Sequence, residues 1–311
     1  MDRRLSLLAQ LIAAEGAATR ADGEATRSEL ASVRAEIDAL RSASESSFAE
    51  LGDEVRAARA HAADALRTAV VDEPGGRRRV ERARLAPDYE EAFADGQPLV
   101  SICIPTFDRI ELLTERSLPS VLGQTYANLE VIVIGDAAPP EVERAVLALG
   151  DPRVRYLNLT HRIDYGSAQR NWEAGSVQAR NLGYAEARGA WISDFDDDDV
   201  LLPTAIERVI AHARTHRLEA VFGRQRWITP EGQVLEIGTF PPALGQFSWQ
   251  GGVIHGALRH FAREHAAAVF GIPNDWERAE RMLRAGVRFG MLDEIVAELY
   301  PSKRWGRSPE G

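Results

Sequence analysis

The sequence predicts an α/β fold, a parallel-type sheet flanked by helices, with a separate helical segment ahead of it. Three observations carry this. From Leu99 onward, short apolar β-rich runs alternate with helical stretches, the pattern of strands joined by crossover helices. Residues 1–70 contain no proline and no tryptophan and are dominated by Ala, Glu, Arg, Leu and Ser. Between them the texture changes at a Pro-Gly-Gly stop and a basic run. The expected division is a helical segment at 1–70, a linker at 71–97 and the α/β domain at 98–306.

In the first segment, Leu30, Val33, Ile37 and Leu40 recur at spacings of three and four, a heptad-like stripe on a helix. The stripe resumes at Phe48, Leu51, Val55, Ala58 and Ala62, after a break where Ser44 and Ser47 occupy the continued positions. A coiled coil joining copies of the chain into a homo-oligomer, an amphipathic hairpin folded back on itself, and one solvated helix all remain open. Glu73-Pro74-Gly75-Gly76 is expected to stop the helix. Arg77-Arg78-Arg79, set among carboxylates, reads as a solvated linker rather than a nucleic-acid patch.

Within the α/β domain, Leu99–Ile104, Leu129–Ile134, Arg153–Leu157 and Trp191–Phe195 read as strands. Glu111–Leu122 reads as helix despite Pro119, and so does the stretch from Ala168 to Ala187. Ligands of such sheets bind where strands end at their carboxyl termini. Pro105, Asp136 and Asp196 each lie at such an end.

Composition narrows the function. The 311 residues are 45% hydrophobic and 27% charged, ordinary for a globular protein. Forty-seven acidic residues against 37 basic ones give a net charge of −10, which argues against a nucleic-acid or anionic-membrane surface. The lone cysteine, Cys103, excludes an intrachain disulfide framework and a multi-cysteine zinc site; inside the first strand it reads as a small apolar residue. No apolar run reaches the ~18 residues of a membrane span. The N-terminus lacks a sustained apolar stretch and a cleavage site, so the expected location is cytoplasmic.

The sharpest chemistry lies in Ser193-Asp194-Phe195-Asp196-Asp197-Asp198-Asp199, directly after a strand. Adjacent carboxylates repel one another, and hard divalent cations take oxygen ligands, Mg²⁺ commonly from one or two carboxylates plus phosphate. A calcium-binding helix-loop-helix counted from Asp196 fails, because Val200 and Leu201 stand where an oxygen ligand and a glycine are needed. Spacing alone leaves a metal site and an acidic loop capping the next helix equally open.

PLVSICIPTFDR (Pro98–Arg109), SVLGQTYANLEVIVIGD (Ser120–Asp136), ARNLGYAEARGAWISDFDDDD (Ala179–Asp199) and NDWERAERMLRAGVRF (Asn274–Phe289) occur in this order. Together they resemble glycosyltransferase family 2, inverting nucleotide-sugar enzymes with a GT-A, Rossmann-like fold. The resemblance covers roughly Pro98 to Trp305 and leaves the N-terminal third untouched. It implies that Pro105, Thr106 and Phe107 hold the nucleotide base and ribose, with Phe107 offering an aromatic face, and that Asp136 bonds a uracil edge. Arg180 would pair with the diphosphate, Asp197 would face the ribose, and Asp196 and Asp198 match the ends of the DXD motif that holds Mn²⁺ or Mg²⁺. Asp275 would be the general base for an acceptor hydroxyl; read from the residues alone, Asn274 and Glu277 form a capping-box-like pair around it.

Departures from the family pattern weigh on base recognition. Asp108 stands where asparagine is commoner, Gly135 replaces the first acid of an Asp-Asp pair, Ala137-Ala138 replace Gly-Ser, and Asn274 replaces glutamate. His255, His260 and His265 lie in the acceptor-side half and read as surface or core histidines. The resulting expectation is a metal-dependent hexosyl-type transfer from a nucleotide-sugar donor, UDP-linked, to a saccharide or other hydroxyl acceptor, as in bacterial polysaccharide or glycoconjugate synthesis. A nucleotidyltransferase would want a glycine- and lysine-rich phosphate loop, and Leu99–Arg109 contains neither. A non-catalytic assembly protein with a decayed transferase domain would lack Asp198 or Asp275, and both are present.

Overall fold

The computed structural model describes residues 2–18, 30–48, 51–52, 54–55 and 73–300. The chain divides into two compact units, Met1–Leu66 and Arg67–Gly311.

In the first unit, Asp2–Ala18 and residues 30–48 are helical. Leu30, Val33, Ile37, Leu40 and Ser44 are half-buried while every other residue of 30–48 is exposed, so the predicted stripe is the covered face of that helix. The continuation differs. Phe48, Leu51 and Val55 are 72%, 55% and 51% exposed, so the continued positions are uncovered within the single chain. Ala58 and Ala62 lie outside the described residues.

The second unit is built on one mixed sheet. The strands are β1 (Val100–Thr106), β2 (Leu129–Gly135), β3 (Val154–Asn158), β4 (Trp191–Asp194), β5 (Val200–Leu201), β6 (Ala220–Ile228), β7 (Val234–Ile237), β8 (Val253–His255) and β9 (Phe289–Leu299). Their order is β3-β2-β1-β4-β8-β6-β9-β5, with β7 paired to β6. β3, β2, β1 and β4 are mutually parallel, and β8 runs antiparallel to both β4 and β6. Every residue of β1 and β2 is buried, which is why both read as continuous Val/Ile runs rather than alternating ones. Cys103 is buried, as expected. In the parallel register Thr106 lies opposite Gly135, and Cys103 opposite Asp194, so the ends of β1, β2 and β4 open on one edge.

The expected helix at 168–187 is two helices, Ala168–Ala174 and Val177–Glu186, broken where Ser176 takes φ 56°. The second lies close on the sheet at Gly183, where a Cβ would sit 2.8 Å from Ile134 Cδ1 and 3.1 Å from Cys103 Sγ. The helix after β1 runs through Ile110–Leu112, a π turn at Leu113–Ser117, and Leu118–Leu122. Pro119 is accommodated because it falls in the first turn after that interruption.

The linker expected at 71–97 is instead part of the second unit. Glu73–Arg84 is a helix; the proline that was to stop a helix stands at its start, where a missing N–H costs nothing. Gly76 allows close approach to the helix at Asn274–Arg284, since a Cβ there would meet Ala285 Cβ at 3.1 Å. Val80 is buried among Phe222, Trp249 and Met282. Arg84 donates to both oxygens of Glu219 at 2.7 and 2.8 Å, and Tyr89 donates to Glu219 at 2.5 Å. The short helix Glu91–Ala94 buries Phe93 against Trp191, with ring centroids 5.5 Å apart.

Candidate active site

At the ends of β1 and β2, Pro105 and Thr106 are buried, and Phe107 is half-buried. Arg162 lies with its guanidinium carbon 4.3 Å from the Phe107 ring centre. Its Nε is 3.1 Å from Asp136 Oδ2. Burial raises the Asp136 carboxyl above its ordinary range, and Arg162 opposes that rise. Gly135 leaves room for the ends of the Asn158 and Tyr156 side chains, which a Cβ there would force to shift. A small cleft beside Asp136 is lined by Ile163, Tyr165, Ser176 and Val177.

The aspartates form the second element. Thr106 Oγ1 donates to Asp197 at 2.8 Å, and Arg109 Nη1 donates to Asp197 at 3.0 Å and to Asp198 at 2.5 Å. Gln250 clasps Asp196, donating to its carboxylate at 2.6 Å while accepting from its backbone N–H at 2.9 Å. The N–H of Tyr300 donates to Asp199 at 2.9 Å. Two further donors reach the loop backbone: Ser117 to the Asp196 carbonyl at 2.8 Å, and Arg116 to the Asp198 carbonyl at 2.9 Å. Burial pushes Asp197 up to about 6 against the pull of Arg109. Burial pushes Asp198 up to about 7, Asp196 and Asp197 adding to the rise and Arg109 opposing it. Asp199 is raised well above its ordinary value by burial and by its acidic neighbours.

Asp196, Asp198 and Asp199 each bring one carboxylate oxygen within 4.8 Å of the others. An all-oxygen donor set of this kind fits a hard divalent cation such as Mg²⁺ or Mn²⁺.

Behind the loop lies a buried ionic hub. Asp194 accepts from Tyr184 at 2.6 and 2.7 Å, from Arg263 at 3.0 Å, from Arg278 at 3.1 Å and from Arg180 at 3.4 Å. The three guanidinium groups hold its carboxyl well below the usual range, outweighing burial, the largest opposing influence. Arg180, which the resemblance assigns to the diphosphate, is buried with its guanidinium on Asp194 and Asp196. Arg263 also donates to Asn274, whose amide in turn donates to the Glu173 carbonyl at 2.7 Å.

Asp275 opens the helix Asn274–Arg284. The capping-box pairing does not form: Asn274 is held by Arg263 and Glu173, and Glu277 pairs with Arg281 at 2.5 and 2.9 Å. Asp275 accepts from the Trp276 N–H at 2.8 Å. Burial raises its carboxyl, Arg263 and Arg180 lower it, and Asp196 raises it further. The histidines serve packing and local bonds: His255 stacks on Tyr89 at 4.4 Å, His260 meets the Ala257 carbonyl, and His265 meets the Tyr165 hydroxyl.

Arg109, Arg162, Asp194, Asp199, Gln250 and Arg263 are members of this site that sequence reasoning passed over. Asp194 and Asp199 were visible in the acidic run and Arg109 in the first loop. Arg162, Gln250 and Arg263 carry no signal, because their partners lie far away along the chain.

A family model described as glycosyl transferase family 2 matches residues 101–262. The chain belongs to this family. A relative within reach of sequence comparison is the succinoglycan biosynthesis protein ExoO of Rhizobium meliloti, 32% identical over 119 residues, covering 38% of this chain and 31% of ExoO. The chain thus spans about a third of that relative's length. Among solved structures it is similar to S. aureus TarS in complex with UDP, at a TM-score of 0.51 and 16% identity, over 66% of this chain and 61% of that one. It is also similar to the mannosyltransferase PcManGT from Pyrobaculum calidifontis, in complex with GDP-Man and Mn²⁺, at a TM-score of 0.50 and 20% identity, over 79% and 69%. The family fold is the GT-A fold, preceded here by helix. No helix among the described residues is long and apolar enough to cross a membrane.

Proposed function

We propose that this family 2 glycosyltransferase transfers a sugar, with inversion, from a nucleoside-diphosphate donor to a hydroxyl acceptor, in the synthesis of a polysaccharide or glycoconjugate. What supports this most is the convergence of Asp196, Asp198 and Asp199, whose carboxylate oxygens lie within 4.8 Å of one another on the loop after β4, an arrangement suited to a diphosphate-bound cation, with Asp275 at a helix start as the base candidate. Asp275 accepts the acceptor's hydroxyl proton as the oxygen bonds to the anomeric carbon. The bond from that carbon to the diphosphate oxygen breaks on the opposite face, and its electron pair leaves with the nucleotide. A raised carboxyl is the better proton acceptor at neutral pH.

Asp196 and Asp198 would hold a divalent cation, with Asp199 as a third oxygen donor; bound there, it supplies Lewis-acid neutralisation of the charge growing on the diphosphate. Asp197 sits beside Thr106 and would face the ribose. Phe107 and Asp136, bridged by Arg162, would form the base slot, with Asp136 accepting from a uracil N–H. Arg180 keeps Asp196 aimed. The UDP-bound TarS structure supports a uridine donor, and the GDP-mannose complex of PcManGT makes guanosine the rival.

Calorimetry with UDP and with GDP, each in Mn²⁺ and in EDTA, tests the reading. UDP binding that tightens strongly with Mn²⁺ is the expected result. Equal affinity in metal and chelator overturns the metal assignment, and a preference for GDP overturns the uridine donor.

A further inference from the structure

We propose that Arg109 is a placeholder for the cation. Its guanidinium neutralises the aspartate loop when nucleotide is absent, and transfers to the diphosphate when nucleotide and metal bind together. This rests on the metal and donor reading above, and concerns how binding is coupled rather than the transfer itself.

The geometry is specific. A single nitrogen, Nη1, reaches Asp197 Oδ1 at 3.0 Å and Asp198 Oδ2 at 2.5 Å, straddling two carboxylates as a point cation would. Asp198 is also one of the three residues whose oxygens converge within 4.8 Å. A metal that takes Asp198 therefore competes with Arg109 for it. Arg109 pairs with Asp197 and Asp198, while Arg180 pairs with Asp194 and Asp196. Arg116, the other nearby cation, donates to the Asp198 backbone carbonyl and lies over the Tyr300 ring at 4.3 Å.

Arg109 also has somewhere to go. It follows Phe107 and Asp108 on the loop after β1, and its side chain is 23% exposed, so it borders solvent. Losing Arg109 would cost the loop part of its counter-charge, and giving up Asp198 would cost the guanidinium one of its carboxylate bonds while that to Asp197 is kept. A metal–nucleoside diphosphate complex removes both costs: the cation replaces Arg109 on Asp198, and phosphate oxygens offer the arginine a planar, charge-assisted partner. The free protein should bind the bare cation weakly, and nucleotide and cation should each strengthen the other by the same factor, as linkage requires.

The test titrates Mn²⁺ alone, and then Mn²⁺ with UDP, into the full chain and into three variants: Arg109→Gln, Arg109→Lys and Arg208→Gln. Thermal melting checks that each is folded. Arg109→Gln should bind Mn²⁺ about tenfold more tightly without nucleotide, the change expected for losing one competing charge-assisted hydrogen bond. The factor by which UDP tightens Mn²⁺ should shrink correspondingly. Arg109→Lys, which keeps a cation, should stay near the native affinity. Arg208→Gln removes an equal charge that pairs with Glu294 rather than with the loop, and should change Mn²⁺ affinity little. Unchanged or weaker Mn²⁺ binding by Arg109→Gln overturns the proposal, and so does an equal gain in Arg208→Gln, which would reduce the effect to general charge. The Mn²⁺-only titration needs no nucleotide, so it fails separately from the donor reading.

Discussion

Replacing Asp194 with asparagine keeps the side chain's shape and removes its charge. In the native chain this one carboxylate serves three guanidinium groups and the Tyr184 hydroxyl. After Asp194→Asn, Arg180 still has Asp196, and Arg263 still has Asn274 and Tyr184. Arg278 is the loser. It is fully buried, keeps the Phe261 carbonyl at 2.6 Å, and has an Nη2 with no hydrogen-bond partner. Two buried guanidinium groups, Arg263 and Arg278, then lose the carboxylate they pair with, and breaking a buried pair in this way costs about 3–5 kcal/mol, a large part of the ~5–15 kcal/mol that holds a domain together. Urea unfolding followed by circular dichroism should show the midpoint falling with its slope unchanged. Adding Arg278→Met removes the more poorly partnered of these charges and should recover at least about half of the loss. The pH dependence has a definite sign. Because the folded carboxyl is depressed, its contribution is complete above the ordinary carboxylate range and is lost as pH falls below it, so the gap between native chain and variant should narrow in acid. A loss under about 1 kcal/mol, below what a broken buried pair costs, or no recovery in the double variant, would refute the reasoning.

Three further outcomes are expected. Asp198→Ala should abolish the difference between Mn²⁺ and EDTA in calorimetric UDP binding, and a surviving difference would move the cation to other oxygens. Asp275→Asn should fold and bind donor nucleotide normally, while transfer falls by about two to four powers of ten; near-normal transfer in a radiolabelled-sugar assay would place the base elsewhere, with Glu277 next to test. Ala137, beside Asp136, takes φ 56°, a left-handed conformation costing an L-residue about 1–2 kcal/mol. Ala137→Gly should therefore raise the melting temperature, and a lowered one would show that the glycine's extra freedom in the unfolded chain outweighs the relief.

The parallel half of the sheet was legible because β1 and β2 are buried on both faces and must therefore be written in Val and Ile. The aspartate loop was legible because four adjacent carboxylates have few reasons to coexist. What escaped notice depends on distant partners. The helix Glu73–Arg84 buries Val80 against residues some 140 to 200 positions later, so its own pattern is polar and resembles a linker. Asp194 looked like one more member of an acidic string. It is the last residue of a strand, however, and accepts from arginines contributed by three separate stretches of chain. The break at Ser176 hid in a sequence of good helix formers, where only the backbone angle reveals it. In the N-terminal segment the stripe from Leu30 to Leu40 forms the covered face of its helix, while Phe48, Leu51 and Val55 stay exposed in the single chain.

The π turn at Leu113–Ser117 has an effect beyond the helix that contains it. It sets Arg116 and Ser117 so that both donate to the loop, and each takes a carbonyl: Asp198 for the first, Asp196 for the second. Main-chain oxygens are the ligands by which protein loops usually complete a shell around a large, undemanding ion such as Ca²⁺. Here those two each accept a side-chain donor, which leaves the acidic side chains as the loop's readiest ligands. Three carboxylates make a partial shell that leaves positions for water and phosphate. A small ion that arrives wearing its own phosphates suits such a shell far better than a bare one seeking a complete cage.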